Sequence, residues 1–594
     1  MCGIAGEVRF DGATADPGTI HRMTCAQSGR GPDGSGAWAQ GRVAMGHCRL
    51  KIVDLSPSGG QPMVDSRLGL SIVFNGMIYN YRQLREELRG MGYEFFSTSD
   101  TEVALKAYHR WGRECVHRFH GMFAFAITEH TSGRTVLARD RLGIKPLYVD
   151  HTGARLRFAS TVQSLLAAGD VDTSIDRTAL SYYLTFHSVV PAPRTILKGV
   201  RKMPPATVRT IEPDGSASDH EYWNPQFTRD EDRSGWSEQD WQDGLVEKLR
   251  TAVKRRMVAD VPVGVLLSGG IDSSLVVALL AESGQEDLQT FSIGFESRGE
   301  ESGDEFEFSS RVARRFGTDH HQIAIDDARL VPAIDRTVAA MSEPMISHDC
   351  VAFYLLSEEV SKHVKVVQSG QGADEVLGGY HWYPPLADVA RDDARHTYSE
   401  AFFDRPWSRL AKVLSPEWMA SHDAPTAFIE RHFGRPGAET AVDAALRTDS
   451  TVMLVDDPVK RVDNMTMAWG LEARVPFLDH ELVEFAGRIP PELKLADGGK
   501  GVLKRAARGI VPDEVIDRKK GYFPVPAIRT LEGGTLDRVE AALTDPAAVR
   551  RGLYNSEVVE SLLAEPNRHH TPLRSNVLWQ LGLLEMWLQE NGIS

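Results

Sequence analysis

Cysteine is scarce in this chain, and the few cysteines are scattered. Five occur among 594 residues: Cys2, Cys25, Cys48, Cys115 and Cys350. An odd, widely spaced set provides neither a disulfide framework nor the paired spacing of a zinc site. The scarcity favours a reducing compartment, so we expect a cytoplasmic protein.

Long apolar runs and an excess of positive charge are also missing. No apolar run reaches the about 18 residues that indicate a membrane-spanning helix, and the stretch MCGIAGEVRF lacks the basic and apolar regions of a signal peptide. The net charge of −15 argues against nucleic acid as the main partner. We therefore expect neither membrane nor nucleic-acid partners. The chain length predicts several domains.

Short apolar runs separated by turn residues fill residues 1–205. Examples are LSIVFNG, GMFAFAITEH and RTVLARD. Enrichment in Val, Ile and Phe with Gly, Asp and Asn between the runs indicates β-strands, and two helical stretches interrupt them. This pattern predicts a layered αβ domain built on antiparallel sheets. Residues 206–240 are polar and rich in turn formers, which predicts a linker.

Residues 241–594 begin with alternating strands and helices. The strand VPVGVLL precedes the string SGGIDSS and a helix, and then come the strand LQTFSIGF, the helix FSSRVARRFG and the strand HHQIAI. This alternation predicts a doubly wound α/β domain, a parallel sheet with helices on both faces. From about residue 385 the pattern is mostly helical, which predicts added helices.

Cys2 directly follows the initiator methionine. Removal of Met1 would place a thiol and a free α-amine on one residue. That amine, with an ordinary pKa of about 7.7–8.0, can act as the base for its own side chain. Cys2 is therefore a candidate nucleophile, and an incidental cysteine is the alternative.

Four strings follow Cys2 in order: RGPDGSG, GHCRLKIVDLS, FNGMIYNY and STSDTE. The set resembles the glutaminase domain of class II, or N-terminal-nucleophile, glutamine amidotransferases over residues 1–205. The resemblance implies a four-layer αββα fold and an oxyanion hole formed by the side chain of Asn75 and the backbone N–H of Gly76. It also implies that Arg49 binds the α-carboxylate of glutamine and Asp100 its α-ammonium. A surface ion pair is the alternative for these two residues.

Two positions depart from the family pattern. The usual string is NGEIYN, and here the glutamate is Met77. In asparagine synthetases that glutamate helps to hold the glutamine amine, so its loss leaves more of the task to Asp100. Arg30 also differs in context, because the family usually has histidine before this arginine.

The string SGGIDSS has the composition of a phosphate-binding loop. Glycines let backbone N–H groups approach an anion, serines add hydroxyl donors, and the helix that follows adds a positive dipole. It lacks the Walker A pattern and resembles the pyrophosphate loop of ATP pyrophosphatases that adenylate a substrate. A helix-capping turn is the alternative, and a core role is the alternative for Leu267 and Ile293. The candidate ATP contacts are Leu267, Ser268, Gly269, Gly270, Asp272, Ser273, Ser274, Ile293, Ser369 and Gly370.

The strings VKRVDNMTMAWGLEARVPFLDHELVEFA, GGKGVLKRAA and DRKKGYFPVP resemble the synthetase domain of the asparagine synthetase family. The resemblance implies that Asp272 and Asp374 hold Mg²⁺ between them. It implies that Lys500 stabilises the adenylated intermediate and pyrophosphate, with a solvated lysine as the alternative. Lys519 and Lys520 are further candidates for phosphate contacts.

The family's parent reaction converts aspartate, glutamine and ATP into asparagine, glutamate, AMP and pyrophosphate. The resemblance also implies an ammonia channel between the two sites and a homodimer. The family usually reads SGEG before the magnesium aspartate, whereas here Gln371 replaces the glutamate. A neutral amide can neither accept a proton nor hold a cation, so the acceptor should be handled differently.

Further strings, among them LTFHSVVPAPRTILKGVRKMPPAT and QSGQGADEVLGGYHWYPPLA, resemble one branch of the family. Members of that branch, the N-acetylglutaminylglutamine amidotransferases, amidate an acetylated dipeptide to make an osmoprotectant. The expected acceptor is therefore such a dipeptide, with L-aspartate as the alternative. A tailoring enzyme like the β-lactam synthetases usually lacks the N-terminal cysteine, and a non-catalytic scaffold needs none of the candidate residues together.

Overall fold

The computed structural model describes residues 2–296, 304–518 and 526–594. Met1, Lys519 and Lys520 lie outside the described residues. The strands are β1 (Cys2–Arg9), β2 (Ser35–Gln40), β3 (Val43–Arg49), β4 (Met63–Asp65), β5 (Leu70–Ile78), β6 (Gly121–Glu129), β7 (Thr135–Arg139), β8 (Tyr148–His151), β9 (Arg155–Ala159), β10 (Arg201–Lys202), β11 (Thr207–Ile211), β12 (Ala217–Glu221), β13 (Val263–Leu266), β14 (Gln289–Phe295), β15 (Asp319–Ile325), β16 (Val366–Gln368) and β17 (Glu472–Arg474).

The α-helices alternate with the strands early in the chain and dominate its last third. They are α1 (Pro17–Cys25), α2 (Tyr81–Gly90), α3 (Asp100–Trp111), α4 (Cys115–Arg118), α5 (Val162–Ala167), α6 (Arg177–Thr185), α7 (Glu238–Arg255), α8 (Ile271–Glu282), α9 (Phe306–Phe316), α10 (Asp327–Ala340), α11 (Asp349–Val360), α12 (Ala373–Leu377), α13 (Ala394–Phe402), α14 (Trp407–Val413), α15 (Ala424–Gly434), α16 (Ala441–Thr448), α17 (Lys460–Met467), α18 (His480–Arg488), α19 (Pro491–Leu495), α20 (Gly501–Ala506), α21 (Asp513–Ile516), α22 (Pro526–Arg529), α23 (Gly533–Thr544), α24 (Pro546–Arg551), α25 (Ser556–Ala564) and α26 (Val577–Glu590).

Two six-stranded antiparallel sheets form the first domain. Their strand orders are β10-β8-β9-β1-β3-β2 and β12-β11-β7-β6-β5-β4. An apolar core that includes Ile4, Val73, Leu137 and Phe158 lies between them. Helices α1 and α5 pack on the first sheet, α3 packs against β5 of the second, and α2 packs against α3. The predicted αββα architecture is confirmed.

The central strands of these sheets are buried on both faces. Strands β3 and β7 are buried at every position, and β1 and β6 at nearly every one. A strand covered on both faces reads as a continuous apolar run rather than an alternating one. This explains why strings such as GMFAFAITEH carry no polar face.

Residues 206–240 differ from the expected linker. Strand β11 pairs with β7, and β12 pairs with β11, so both belong to the second sheet of the first domain. Val208 and Ile211 bury their side chains in the domain. The turn between them, where Gly215 has φ +87°, supplies part of the polar composition that suggested a linker. The first-domain sheet therefore continues to Glu221.

A five-stranded parallel sheet organises the second domain. Its order is β15-β14-β13-β16-β17, and every neighbouring pair is parallel. One face packs with helices α7 and α8, and the other packs with α11. The predicted doubly wound sheet with added helices is confirmed. No helix in the described part of the chain is long and apolar enough to cross a membrane.

Candidate active sites in the two domains

Cys2 begins β1 at the centre of the first sheet. It lies opposite Arg49 of β3 in the strand register. Its side chain is buried, and burial raises the pKa of its thiol above the ordinary value. The thiol is therefore protonated at neutral pH and needs a base before it can attack.

Asn75 and Gly76 on β5 approach Cys2 from the second sheet. The backbone nitrogen of Cys2 donates to Asn75 Oδ1 at 3.1 Å. The buried Nδ2 of Asn75 has no hydrogen-bond partner among the described residues. Its amide therefore holds the backbone nitrogen of Cys2 with its oxygen and leaves the two N–H donors of Nδ2 for another group. Such a donor is what a developing oxyanion requires.

Gly76 sits where no side chain fits. Its φ is +159°, and a Cβ built there would lie 2.2 Å from the carbonyl oxygen of Met122 on β6. Strands β5 and β6 can approach this closely at Gly76 because the residue lacks a Cβ. The role of its N–H in an oxyanion hole stays a prediction.

Arg49 and Asp100 have defined buried positions around the same strand ends. Arg49 donates to the carbonyl oxygens of Ser56, at 2.8 Å, and Asp54, which fix the guanidinium. Asp100 starts α3, and its Oδ2 accepts from the backbone N–H of Ile78 at 3.1 Å. Burial raises the pKa of Asp100 to about 6. A buried carboxylate at this position suits an ammonium partner.

Met77 points into the core of the first domain. It is 2 % exposed and packs in the apolar cluster that contains Ile78 and Phe125. An apolar side chain is the stable choice at a position with this burial. In this chain, position 77 therefore contributes packing in place of a carboxylate.

Arg30 connects Cys2 with the second domain. Its Nε donates to the carbonyl oxygen of Cys2 at 3.3 Å, and its Nη1 donates to Asp463 of α17 at 2.9 Å. Lys145 of the first domain donates to the same carboxylate at 3.0 Å. Sequence reasoning noted Arg30 but did not find Asp463, because no local pattern reports a contact across 433 residues.

The SGGIDSS string forms the turn from β13 into α8. The hydroxyl of Ser268 accepts from the Gly270 N–H at 3.3 Å and lies 3.2 Å from the hydroxyl of Ser273. Gly269 has φ +74°, and a Cβ there would lie 2.7 Å from the backbone nitrogen of Ser309 on α9. Gly269 is thus required for packing against α9. The buried Ser274 hydroxyl has no hydrogen-bond partner in the described part of the chain.

Lys500 brings the two predicted magnesium ligands together. Its Nζ lies 2.7 Å from Asp272 Oδ2 and 3.0 Å from Asp374 Oδ1. The two carboxylates raise the pKa of Lys500 above its ordinary value despite burial, which acts in the opposite direction. Lys500 has φ +56° and precedes α20. Two carboxylates that converge on one cation have the donor set that Mg²⁺ prefers.

A cavity of about 150 Å³ opens beside this loop. Predicted residues on its wall are Leu267, Ser268, Asp272, Ser273, Ile293, Ser369, Gly370 and Asp374. Gly269, Gly270 and Ser274 are not on the wall. Residues on the wall that sequence reasoning missed include Ser292, Glu305, Phe353, Leu356 and Tyr380. Gln371, noted in the sequence, also lines the cavity.

Two buried acidic residues lie close to Asp374, namely Glu375, which also lines the cavity, and Asp449. Tyr380 donates to Glu375 at 2.7 Å. Burial, together with the neighbouring Asp374, raises the pKa of Glu375 to about 7. Tyr383 donates to Asp449 at 2.6 Å. These contacts hold the buried carboxylates of Glu375 and Asp449 in place next to the Asp374 segment.

Arg461 is a further cation near the cavity. Its Nη1 donates to Ser347 Oγ at 2.5 Å and lies 3.5 Å from Asp457 Oδ1. Its guanidinium carbon is 6.0 Å from the ring of Phe353, a cavity residue. The buried Nε of Arg461 has no hydrogen-bond partner among the described residues. Sequence reasoning quoted the string that contains Arg461 but gave the residue no role.

The sequence model of the asparagine synthase family matches residues 244–589, and that of the glutamine amidotransferase domain matches residues 1–223. "Asparagine synthetase [glutamine-hydrolyzing] 3" of Bacillus subtilis is 34% identical over 552 residues, covering 88% of this chain and 87% of that protein. The chain belongs to the asparagine synthetase family. As a member of that family it is an ATP-dependent glutamine amidotransferase ligase.

Two further relatives of this chain are named as an asparagine synthetase and as an amidase. "Asparagine synthetase [glutamine-hydrolyzing] 1" of Bacillus subtilis is 34% identical over 565 residues, covering 89% of this chain and 87% of that protein. "Amidase chry2" of Gibberella zeae is 28% identical over 629 residues, covering 92% of each chain. Relatives of this chain therefore carry names of different activities, so similarity alone does not identify the acceptor.

Proposed function

We propose that this enzyme releases ammonia from glutamine at Cys2 and uses it to amidate a carboxylate that ATP has activated. The observation that carries the proposal is the pair formed by Cys2 and Asn75. One amide oxygen holds the Cys2 nitrogen, while the amide N–H₂ of the same side chain lacks a partner among the described residues. A nucleophile and an oxyanion donor are thus fixed together.

The glutaminase half-reaction uses the α-amine of Cys2 once Met1 has been removed. The amine takes the thiol proton, and the sulfur attacks the amide carbon of glutamine. Asn75 and the Gly76 N–H stabilise the resulting oxyanion. The amine then gives its proton to the departing ammonia, and water hydrolyses the thioester to glutamate. Arg49 and Asp100 hold the two ends of the amino-acid backbone.

The synthetase half-reaction takes place in the cavity beside the SGGIDSS loop. We assign the phosphates of ATP to this loop and Mg²⁺ to Asp272 and Asp374. A bound Mg²⁺ neutralises polyphosphate charge. Lys500 stabilises the charge that develops when the acceptor carboxylate attacks the α-phosphorus and pyrophosphate leaves. Ammonia then attacks the acyl-adenylate, and AMP departs.

The acceptor carboxylate is assigned to an N-acetylglutaminylglutamine-type dipeptide. Gln371 supports this choice, because a neutral amide lines the cavity where the resemblance predicts a carboxylate. The acetyl group of such a dipeptide removes the α-ammonium charge, so the site needs no acidic residue to pair with it. L-Aspartate is the second candidate, supported by the names of the Bacillus subtilis relatives.

Arg461 is our candidate anchor for the acceptor. Its Nε has no hydrogen-bond partner in the described part of the chain and its guanidinium lies against Phe353, which leaves a donor next to the cavity. A planar guanidinium recognises a carboxylate through paired hydrogen bonds. Asp457 and Ser347 fix the rest of the group, so it is oriented before the acceptor arrives.

Ammonia must pass from one domain to the other. We propose a channel through the domain interface that Arg30, Lys145 and Asp463 join. We also propose a cytoplasmic homodimer, as the family resemblance implies. Size-exclusion chromatography with light scattering tests the dimer, since a monomer at micromolar concentration would contradict it.

An ATP–pyrophosphate exchange assay across acceptors tests the function. Exchange should require N-acetylglutaminylglutamine and be absent with aspartate. Exchange with aspartate alone would reject the dipeptide and favour the second candidate. Exchange with neither acceptor would contradict both. Mass spectrometry of the active protein should also show Cys2 at the N-terminus, and retained Met1 would contradict the nucleophile assignment.

A further inference from the structure

A second cavity, lined by residues of both domains, has a wall of positive charge. Its volume is about 440 Å³, within the range of about 300–1,000 Å³ typical of small-molecule sites. It shares no lining residue with the ATP cavity among the described residues. The basic residues on its wall are Arg194, Arg201, His422 and Arg431, and no described lining residue is acidic. The positive charge of this wall is opposite in sign to the net charge of the chain, which is −15.

Two of these arginines are held in place by a buried carboxylate. Asp176 caps α6 through the Thr178 N–H at 2.9 Å. Its Oδ2 also accepts from Arg194 and, at 3.3 Å, from Arg201. A single carboxylate oxygen thus orders two guanidinium groups, and each keeps other N–H donors for a ligand.

The second domain supplies the opposite wall. Ala424 and Ala427 on the first turn of α15 line the cavity, so the positive end of that helix dipole faces it. Arg431 lies one turn further along, with its guanidinium carbon 5.4 Å from the ring of Phe428. Asp423, which caps this helix, accepts hydrogen bonds from the backbone N–H and the hydroxyl of Thr426.

Aromatic rings form the floor. Tyr182 of α6 and Phe428 of α15 pack edge to face, with ring centroids 5.7 Å apart. Both side chains are buried and both line the cavity. A ligand there would contact apolar rings below and arginine donors at the sides.

We propose that this cavity binds a small organic polyanion, with its phosphate or carboxylate groups on the arginines and its carbon skeleton on Tyr182 and Phe428. Because the first domain supplies two arginines and the second supplies one, the ligand bridges the domains. Arg201 is followed by Lys202, which donates to Glu343 of the second domain at 2.8 Å. An anion bound to Arg201 therefore lies close to the buried Lys202–Glu343 contact between the domains.

Calorimetry on the full chain at low ionic strength tests the proposal. The probes are phenyl phosphate, phthalate and inorganic phosphate, with chloride as the charge control. Phenyl phosphate or phthalate should bind at one site per chain and more tightly than inorganic phosphate, because of the rings. The comparison of phenyl phosphate with phthalate distinguishes a phosphate ligand from a carboxylate ligand. Absence of saturable binding by all three probes would overturn the proposal.

Two variants and one matched control locate the site. R431Q should weaken binding about tenfold or more, through loss of a charge-assisted hydrogen bond. A427E should do the same by placing a carboxylate in the cavity, without removing an existing contact. R113Q, which removes one exposed positive charge elsewhere, should leave the affinity unchanged. Equal affinity in R431Q, A427E and wild type would place the anion outside this cavity.

Discussion

Arg30 and Asp463 form a buried ion pair between the two domains. Two hydrogen bonds of 2.9 and 3.3 Å join the guanidinium to the carboxylate, and the same guanidinium donates to the Cys2 carbonyl. Burial alone would raise the pKa of Asp463, but Arg30 and Lys145 hold it below its ordinary value. Through Arg30, the strand that begins at Cys2 is therefore bonded to a helix of the synthetase domain.

Asp463→Asn should weaken this connection. The substitution leaves two buried cations without a counter-charge, which costs about 3 kcal/mol of unfolding free energy. We expect lower urea stability and more glutamate released per amide product, because the two half-reactions lose their contact. Asp219→Asn is the matched control, since its pair with Arg209 is partly exposed and should matter little. An unchanged ratio of glutamate to product would refute the coupling role.

Gly76→Ala should abolish glutamine use and spare ammonia-dependent synthesis. The added Cβ would meet the Met122 carbonyl at 2.2 Å and displace the oxyanion donor. Loss of one such donor slows a reaction by about 10²–10³-fold. Gly90→Ala, in open space at the end of α2, should leave both activities intact. Loss of both activities in Gly76→Ala would mean that the defect is not local to the glutaminase site.

Glutamine binding should weaken in acid. The pKa of Asp100 is raised to about 6 by burial, so its carboxylate loses its charge below about pH 6 and no longer pairs with the ammonium of glutamine. In Cys2→Ala, which binds but does not turn over, calorimetry should show the dissociation constant rising about tenfold per pH unit below 6. Asp100→Asn should bind weakly and with no such dependence. A flat profile in Cys2→Ala would contradict the assignment.

The same shift has the opposite effect on stability. A carboxyl group whose pKa is higher in the folded state binds its proton more tightly there. Its contribution to stability is therefore full below the unfolded value of 3.8 and is lost as pH rises through about 6. Acid should weaken glutamine binding without loosening the fold at Asp100.

Lys500→Gln should slow ATP–pyrophosphate exchange by about 10²-fold or more, because the substitution removes a cation that stabilises negative charge in the transition state. Glutamine hydrolysis at Cys2 should persist. Lys504→Gln is the control, since the Lys504 ammonium donates to the backbone carbonyl of Asp497. If both variants exchanged at the same rate, Lys500 would have no part in adenylation.

Local sequence patterns predicted the elements and the strand-end loops well. SGGIDSS lies between a buried strand and a helix, and Cys2 begins a central strand, as the strings indicated. Sequence could not report contacts made by distant residues, such as Asp463 with Arg30 or Arg461 beside Phe353. The linker predicted for residues 206–240 was wrong for residues 207–221, because a polar hairpin turn has the composition of a linker. These residues form two strands of the sheet, and Val208 and Ile211 of the first strand are buried.

The place of β11 and β12 in the second sheet has a consequence for biosynthesis. Chains are made from the N-terminus, and domains generally fold as they emerge. The first domain cannot complete its second sheet until residue 221 has left the ribosome. Asp463 is synthesised 242 residues later, so Arg30 and Lys145 can pair with its carboxylate only after that point. The surroundings of Cys2 are thus complete only after Asp463 has been made, which ties maturation of the glutaminase to synthesis of the domain that consumes its ammonia.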